Sequence, residues 1–333
     1  MAQWSGPLLV LVFGLSQAFR DVYFGGVFQR VDFFAVILIA FVCSTAIFGA
    51  LVAIRTPGEL AKLRGQRGAV LGMNLFTALA WSNYFFSLTY VEPSVANTVH
   101  SAMGPLTVVV LGRLGLRIAK PGRLGLVEAL SYGAVALTVA ALWWIVLSGR
   151  SGLAAHGPAA LALGAVMVSG ASITVSLLYS KRLHDVGVNA EAVTATRYLL
   201  LIAVALAVEF WRGRWTGFSS PAELSTLAGL STALMVLPLF ALQVGVARTA
   251  PLTAQVIRAL GPVFIFALEQ FDGRTRYAPA VLAAIVAYSA AIIVGNVAHG
   301  WRDAPHGSES TKAASSRLKR AVSSQNGECP TPS

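Results

Sequence analysis

Apolar residues run along most of the chain for about twenty positions at a time before a short polar or Gly/Pro-containing break interrupts them. A run of that length crosses a hydrocarbon layer about 30 Å thick as one α-helix. Ten such segments are expected, near 7–28, 33–54, 68–89, 93–112, 124–147, 158–180, 189–210, 223–247, 252–271 and 277–298. The pattern ends near Gly300. Beyond it the chain reads APHGSESTKAASSRLKRAVSSQNGECPTPS, polar, Ser-rich and without periodicity, and is expected to be a disordered tail over 300–333.

Composition turns ten apolar helices into a membrane protein. Of 333 residues, 56% are hydrophobic and 12% charged, with mean hydropathy +0.69. A soluble domain carries about 25% charged residues, so this chain has about half the charge a water-facing surface needs. The net charge of +11 does not point to nucleic acid, because the basic residues sit in short loops and the tail. If the N-terminus is cytoplasmic, sixteen of the 25 Lys and Arg fall on the inside, six in outside loops and three within helices. That bias predicts both termini inside. Trp143, Trp144, Trp211 and Trp215 then fall at outer helix ends, where an aromatic belt belongs. Cys43 and Cys329 suggest neither a disulfide framework nor a metal site. The N-terminus lacks the basic opening of a cleavable signal, and its first apolar run is expected to be the first membrane helix. Arg outnumbers Lys and Ala is abundant, which fits a GC-rich bacterial genome and a plasma membrane location.

Two segments repeat one another. YVEPSVANTVHSAMGPLTVVVLG (Tyr90–Gly112) and TAPLTAQVIRALGPVFIFALE (Thr249–Glu269) each open near a proline, carry a polar patch, then Gly-Pro and an aliphatic exit. Gly104-Pro105 and Gly261-Pro262 lie 157 residues apart, and the same offset lays Ala40-Phe41 on Arg197-Tyr198. The chain therefore divides into five-helix repeats over 1–148 and 149–299. Five being odd, the second enters the membrane inverted, a design in which the substrate site lies near the midplane between halves. The expected fold class is all-α, polytopic, with ten transmembrane helices as two inverted five-helix repeats.

These two segments, with VTATRYLLLIAVAL (Val193–Leu206), resemble the fourth, ninth and seventh helices of the EamA-type drug/metabolite transporter superfamily. The resemblance covers about 7–298. It departs from the family at Ala40, where many relatives open the second helix with arginine. The resemblance implies ten helices, both termini cytoplasmic, and a central cavity lined largely by the third, fourth, eighth and ninth helices. It also implies carrier activity without ATP hydrolysis, in keeping with a sequence that has no P-loop signature, and favours export.

A charge at mid-bilayer costs about 2.5–3.5 kcal/mol on insertion scales, so such a residue faces a cavity or a partner. Arg258 sits inside the ninth helix with Gln255 three residues before it on one face. Counting back from Gly-Pro, Arg258 aligns with Ser101 and Ile257 with His100. A polar surface is therefore expected from Arg258 and Gln255 of one half and His100, Asn97 and Ser101 of the other, suited to an anionic or zwitterionic group. The competing reading is an arginine paired with a carboxylate or helix-end carbonyls, and a histidine that is simply a satisfied polar residue or a proton-linked switch. In the third helix Asn74, Thr77, Trp81 and Tyr84 follow i, i+3, i+7, i+10 and form one stripe, read as cavity lining or helix packing. Gln243 is the isolated polar residue of the eighth helix, near Pro238. Arg20 and Asp21 are about 100° apart on the first helix, so each could meet a different neighbour. They and Arg197 are assigned to coupling or gating, with Asp21 the best-placed carboxylate for protons. Glu128, Glu209 and Glu269 are read as interfacial. The small-residue stripe Ala283, Ala287, Ala291, Gly295 reads as internal packing.

No nucleophile elbow, zinc-protease helix, metal cluster or paired catalytic carboxylates occur in the sequence, which argues against a membrane enzyme. The expectation is a secondary transporter of a small polar metabolite, with no cofactor. Its partners are the substrate, the lipid bilayer and either protons or a counter-substrate; whether it is monomeric or homodimeric stays open. Uptake or antiport of a phosphorylated or nucleotide-linked sugar is the alternative within transport; a membrane-embedded enzyme or receptor is the alternative outside it.

Overall fold

The computed structural model describes residues 5–114, 125–152, 158–213, 220–247, 249 and 251–303. Residues 304–333 of the expected tail, Trp215 and the loop cations between 115 and 124 lie outside the described residues; 300–303, expected to open the tail, continue the last helix. So does the side chain of Gln243.

Thirteen helices account for the described chain, and no strand occurs among the described residues. They are α1 (Ser5–Val27), α2 (Phe33–Arg55), α3 (Glu59–Arg64), α4 (Arg67–Tyr90), α5 (Pro93–Arg113), α6 (Leu126–Leu147), α7 (Ala159–Asp185), α8 (Ala190–Thr196), α9 (Leu199–Arg212), α10 (Pro221–Ala247), α11 (Pro251–Ala259), α12 (Gly261–Glu269) and α13 (Pro279–Asp303). Each of the ten expected segments is helical within a few residues of its expected bounds. Two of them are broken, the seventh into α8 and α9 and the ninth into α11 and α12, and α3 is a short connector. Seven described segments are long and apolar enough to cross a membrane: Gly6–Val27, Phe33–Arg55, Pro93–Arg113, Leu126–Leu147, Ala159–Asp185, Ala190–Arg212 and Pro279–Gly300.

The surface is that of a protein turned inside out. Leu71 and Leu137 are 66% and 73% exposed, while Asp21, Thr77, Ser87, Thr98 and Ser169 are fully buried. Lipid is as apolar as leucine, so helices in it hold together by close packing and hydrogen bonds between polar side chains. Thr77 and Ser176 join α4 to α7 through their hydroxyls at 2.6 Å. Gly170 brings α7 so close to α5 that a Cβ there would lie 2.2 Å from the His100 carbonyl oxygen.

Each break in the helices has a local cause. Pro262 has no N–H, so the Arg258 carbonyl loses its donor four residues on, and the next carbonyl, of Ala259, accepts instead from Ser289 Oγ at 2.8 Å; α11 stops there, whereas α5 runs on through its aligned Pro105. In the seventh segment the Leu200 N–H would pair with the Thr196 carbonyl. Instead Asn74 of α4 inserts its amide: Leu200 N–H donates to Asn74 Oδ1 at 3.1 Å, and Asn74 Nδ2 donates to Thr196 O at 2.9 Å. An inserted side chain that takes over ladder hydrogen bonds is a recognised cause of a helix break. Of the two readings of Asn74, cavity lining or helix packing, the second describes it: it bridges α4 to the break between α8 and α9.

Loop contacts define two ends of the bundle. At one end Glu269 accepts from the Ser94 N–H at 2.7 Å, Arg274 donates to Val22 O, Arg276 N–H donates to Gly152 O, and Arg212 pairs with Asp32. At the other, the Asn189 N–H donates to Glu59 Oε2 at 2.9 Å and Lys62 donates to Gly187 O. Glu128, Glu209 and Glu269, read as interfacial, lie near helix ends and are buried against neighbouring parts of the protein at 2% exposure each. Glu128 accepts from the Gly125 N–H at the start of α6, and Glu269 from the Ser94 N–H near the start of α5, so each occupies an otherwise unpaired helix-end donor. The small stripe on α13 is also corrected: Gly295 packs against Ser131 of α6, but Ala283 and Ala287 face outward.

Candidate functional site

Inside the bundle lies a cavity of two adjoining chambers. The larger, about 420 Å³, is lined by residues of α1, α5, α6, α7, α11, α12 and α13, among them Gln17, Ser101, Gln255, Arg258, Tyr288 and Asn296. The smaller, about 180 Å³, is walled by Phe13, Trp81, Tyr84 and Tyr198 and carries Arg20, Arg197 and Arg258. Gln17, His100 and Arg258 line both chambers and mark their junction. The side chains of α10 at 237, 239, 240 and 242–247 lie outside the described residues; among the described ones, α1, α7 and α13 join α4, α5, α11 and α12 in lining the walls.

The cavity is closed toward the Ser94–Glu269 end and widens toward the other. Along α5, Val91 to Val99 are all buried, whereas Val108 is exposed; on α11 both Gln255 and Arg258 are accessible. Phe24, Phe28 and Phe85 fill the closed end, with ring centroids 5.0–5.6 Å apart.

At the floor of the small chamber sits a buried polar cluster. Arg20 Nε and Nη2 both donate to Asp21 Oδ1, at 2.9 and 2.8 Å. The other oxygen, Oδ2, accepts from Tyr84 Oη at 2.8 Å and Asn97 Nδ2 at 3.2 Å. Arg20 and Asp21 therefore pair with each other and do not reach separate neighbours. The long arginine stem spans the 100° between adjacent positions, and its guanidinium lies over Trp81 at 5.3 Å. Asn97 is held in this cluster and also borders the larger chamber.

His100 Nδ1 lies 3.0 Å from Ser169 Oγ. Ser169 must spend its one proton on the Ala80 carbonyl, 2.6 Å away. His100 therefore donates from Nδ1, which leaves Nε2 as the lone-pair nitrogen of a ring that lines both chambers.

Arg258 has no hydrogen-bond or carboxylate partner among the described residues; Tyr288 and Ser101 stand near it. The expected alternative, an arginine neutralised by a structural partner, is not what the described residues show. Arg197 caps the end of α8, lies 5.4 Å from the Tyr198 ring centroid and reaches Ser176 Oγ only at 3.5 Å; its Nε is buried without a partner.

Of the residues singled out from sequence, Arg258, Gln255, His100, Asn97, Ser101, Trp81, Tyr84, Arg20 and Arg197 line the cavity. Asp21 lies directly behind it and Asn74 elsewhere. Gln17, Tyr288 and Asn296 were missed, though a lone amide inside an apolar helix was the signal available for two of them. The arrangement offers guanidinium groups, hydroxyls and aromatic faces in a cavity open toward one end, the donor types that suit a small anion by charge and hydrogen bonding.

No family model matches the chain, and no curated protein matches it. A solved structure, described as "Crystal structure of protein", has a similar fold, with TM-score 0.57 at 17% identity over 91% of this chain and 99% of that one.

Proposed function

We propose that the chain is a secondary transporter of the drug/metabolite type. It has ten membrane spans arranged as two inverted five-helix repeats, with both termini cytoplasmic. It moves a small anionic or zwitterionic metabolite by alternating access. The observation that carries the reading is Arg258, a cation without a described partner on the wall of a cavity inside an apolar bundle. Such a charge is costly in a membrane unless a ligand or water meets it.

The helix neighbours support the repeat. Advancing each segment by five exchanges the packed pair α4–α7 for α10–α1, and α5–α7 for α1 with α11 and α12. The pairs α6–α13, α2 with α8 and α9, and α5–α12 map onto themselves. One element departs from this symmetry: α5 is buried at its start, while the corresponding part of α11 is accessible. Under the proposed topology the accessible end is cytoplasmic and the cavity faces inward. In an inverted repeat, exchange of the two conformations opens the other end.

The test is reconstitution into liposomes. Gradient-driven anion flux by the native chain, abolished in Arg258→Ala, supports the carrier; conversion of the substrate without flux refutes it.

A further inference from the structure

The charges around the small chamber do not balance. Three guanidinium groups, of Arg20, Arg197 and Arg258, border one space of about 180 Å³. The carboxylate beside them is Asp21, and both its oxygens are taken, Oδ1 by Arg20 and Oδ2 by Tyr84 and Asn97. Glu269 is committed to the Ser94 N–H at the closed end. Arg197 and Arg258 therefore face the chamber with no described carboxylate to offset them. Trp81, Tyr84, Tyr198 and Phe13 wall the chamber with rings, which supply no countercharge to the two cations.

We infer that the ligand carries two negative charges and is held between Arg197 and Arg258. The inference rests on the carrier reading and narrows its substrate class. A monoanion would leave one guanidinium uncompensated. A zwitterion would bring an ammonium group into a chamber whose carboxylate has no free oxygen. Two forked guanidiniums suit a dicarboxylate or a phosphate monoester, since each planar fork presents paired donors to two oxygens. Arg197 thereby becomes a ligand contact. The break between α8 and α9, held open by Asn74, sets the position of that arginine.

The experiment uses purified full-length protein in detergent at pH 8 and low chloride, with Trp81 as the fluorescence reporter. Succinate and glycerol 3-phosphate are titrated beside succinamate, a monoanion of nearly the same shape, and glutamine, a zwitterion. At least one dianion binds about tenfold or more tightly than either control, the factor a charge-assisted contact produces; which dianion wins separates carboxylate from phosphate. Arg197→Gln and Arg258→Gln each abolish that preference. Arg197→Lys, which keeps the charge at the helix break, retains part of it and shows that the fold is intact. Equal binding of succinamate or glutamine, or full dianion preference in Arg197→Gln, overturns the inference. If those controls bind and depend on Arg258, the carrier reading stands without the dianion. If no probe binds and liposomes show no flux, both fall.

Discussion

Asp21→Asn should destabilise the protein through charge more than through hydrogen bonding. The native carboxylate is fully buried and Arg20 is 8% exposed. Removing one partner of a buried ion pair strands the other charge and costs about 3–5 kcal/mol. The asparagine oxygen can still accept from Arg20, and its amide group can donate to Tyr84 Oη, so most of the hydrogen bonds re-form. What cannot be recovered is the countercharge, and the cation–π contact of Arg20 with Trp81 offsets only about 0.5–2 kcal/mol of its loss. The expected net loss is about 2–4 kcal/mol. Arg20→Gln/Asp21→Asn removes both charges and should be more stable than Asp21→Asn alone, with a coupling energy of at least about 1.5 kcal/mol in the double-mutant cycle. Reversible unfolding in mixed micelles of increasing SDS fraction, followed by helical circular dichroism, measures all four corners of the cycle. A loss below about 1 kcal/mol for Asp21→Asn, or a double variant no better than the sum of the singles, would refute a structural ion pair.

Gly170→Ala should cost about 1–3 kcal/mol or more, since its Cβ would sit 2.2 Å from the His100 carbonyl oxygen and 2.7 Å from Met103 Cβ. The shift of α5 should also weaken anion binding at the His100 wall. Gly164→Ala on the same helix meets nothing within 4 Å and should be neutral or slightly stabilising in the same melting assay. At the opposite end of the bundle from the closed one, the hydrogen bond from the Lys62 ammonium, followed by that from the Asn189 N–H, holds the Glu59 carboxyl below its ordinary value of 4.5. A lowered folded-state pKa contributes stability above the unfolded value and loses it as pH falls through the folded one. The melting temperature of the native chain should therefore exceed that of Glu59→Gln at pH 6–7, with the gap narrowing as pH falls below 4.5; a gap that widens on acidification would contradict this.

The cavity's charge was readable in the sequence because an arginine within an apolar run is an anomaly at any fold. Arg258 and Arg197 needed only that rule, and applied without exception it would also have found Gln17 and Asn296. Asn74 shows where the rule stops. It lies on the same stripe as Trp81 and Tyr84, and spacing alone cannot tell an amide that faces a cavity from one that enters a neighbouring helix. That distinction depends on which helix packs against α4 and at what height.

The position and apolar character of the helical segments follow from the sequence, because a backbone in hydrocarbon must satisfy its own hydrogen bonds and so makes helices wherever apolar runs are long enough; the breaks in the seventh and ninth segments do not. The Gly-Pro pair likewise predicts a missing amide donor at the aligned positions Ser101 and Arg258, since proline lacks an N–H in any fold. Tertiary structure decided what each polar group does. Arg20 meets Asp21 because a long side chain can fold back along its own helix. His100 donates from Nδ1 because Ser169 has already given its proton to Ala80. Arg258 is left without a described partner because the bundle encloses a cavity there, and such an absence depends on every neighbouring helix at once.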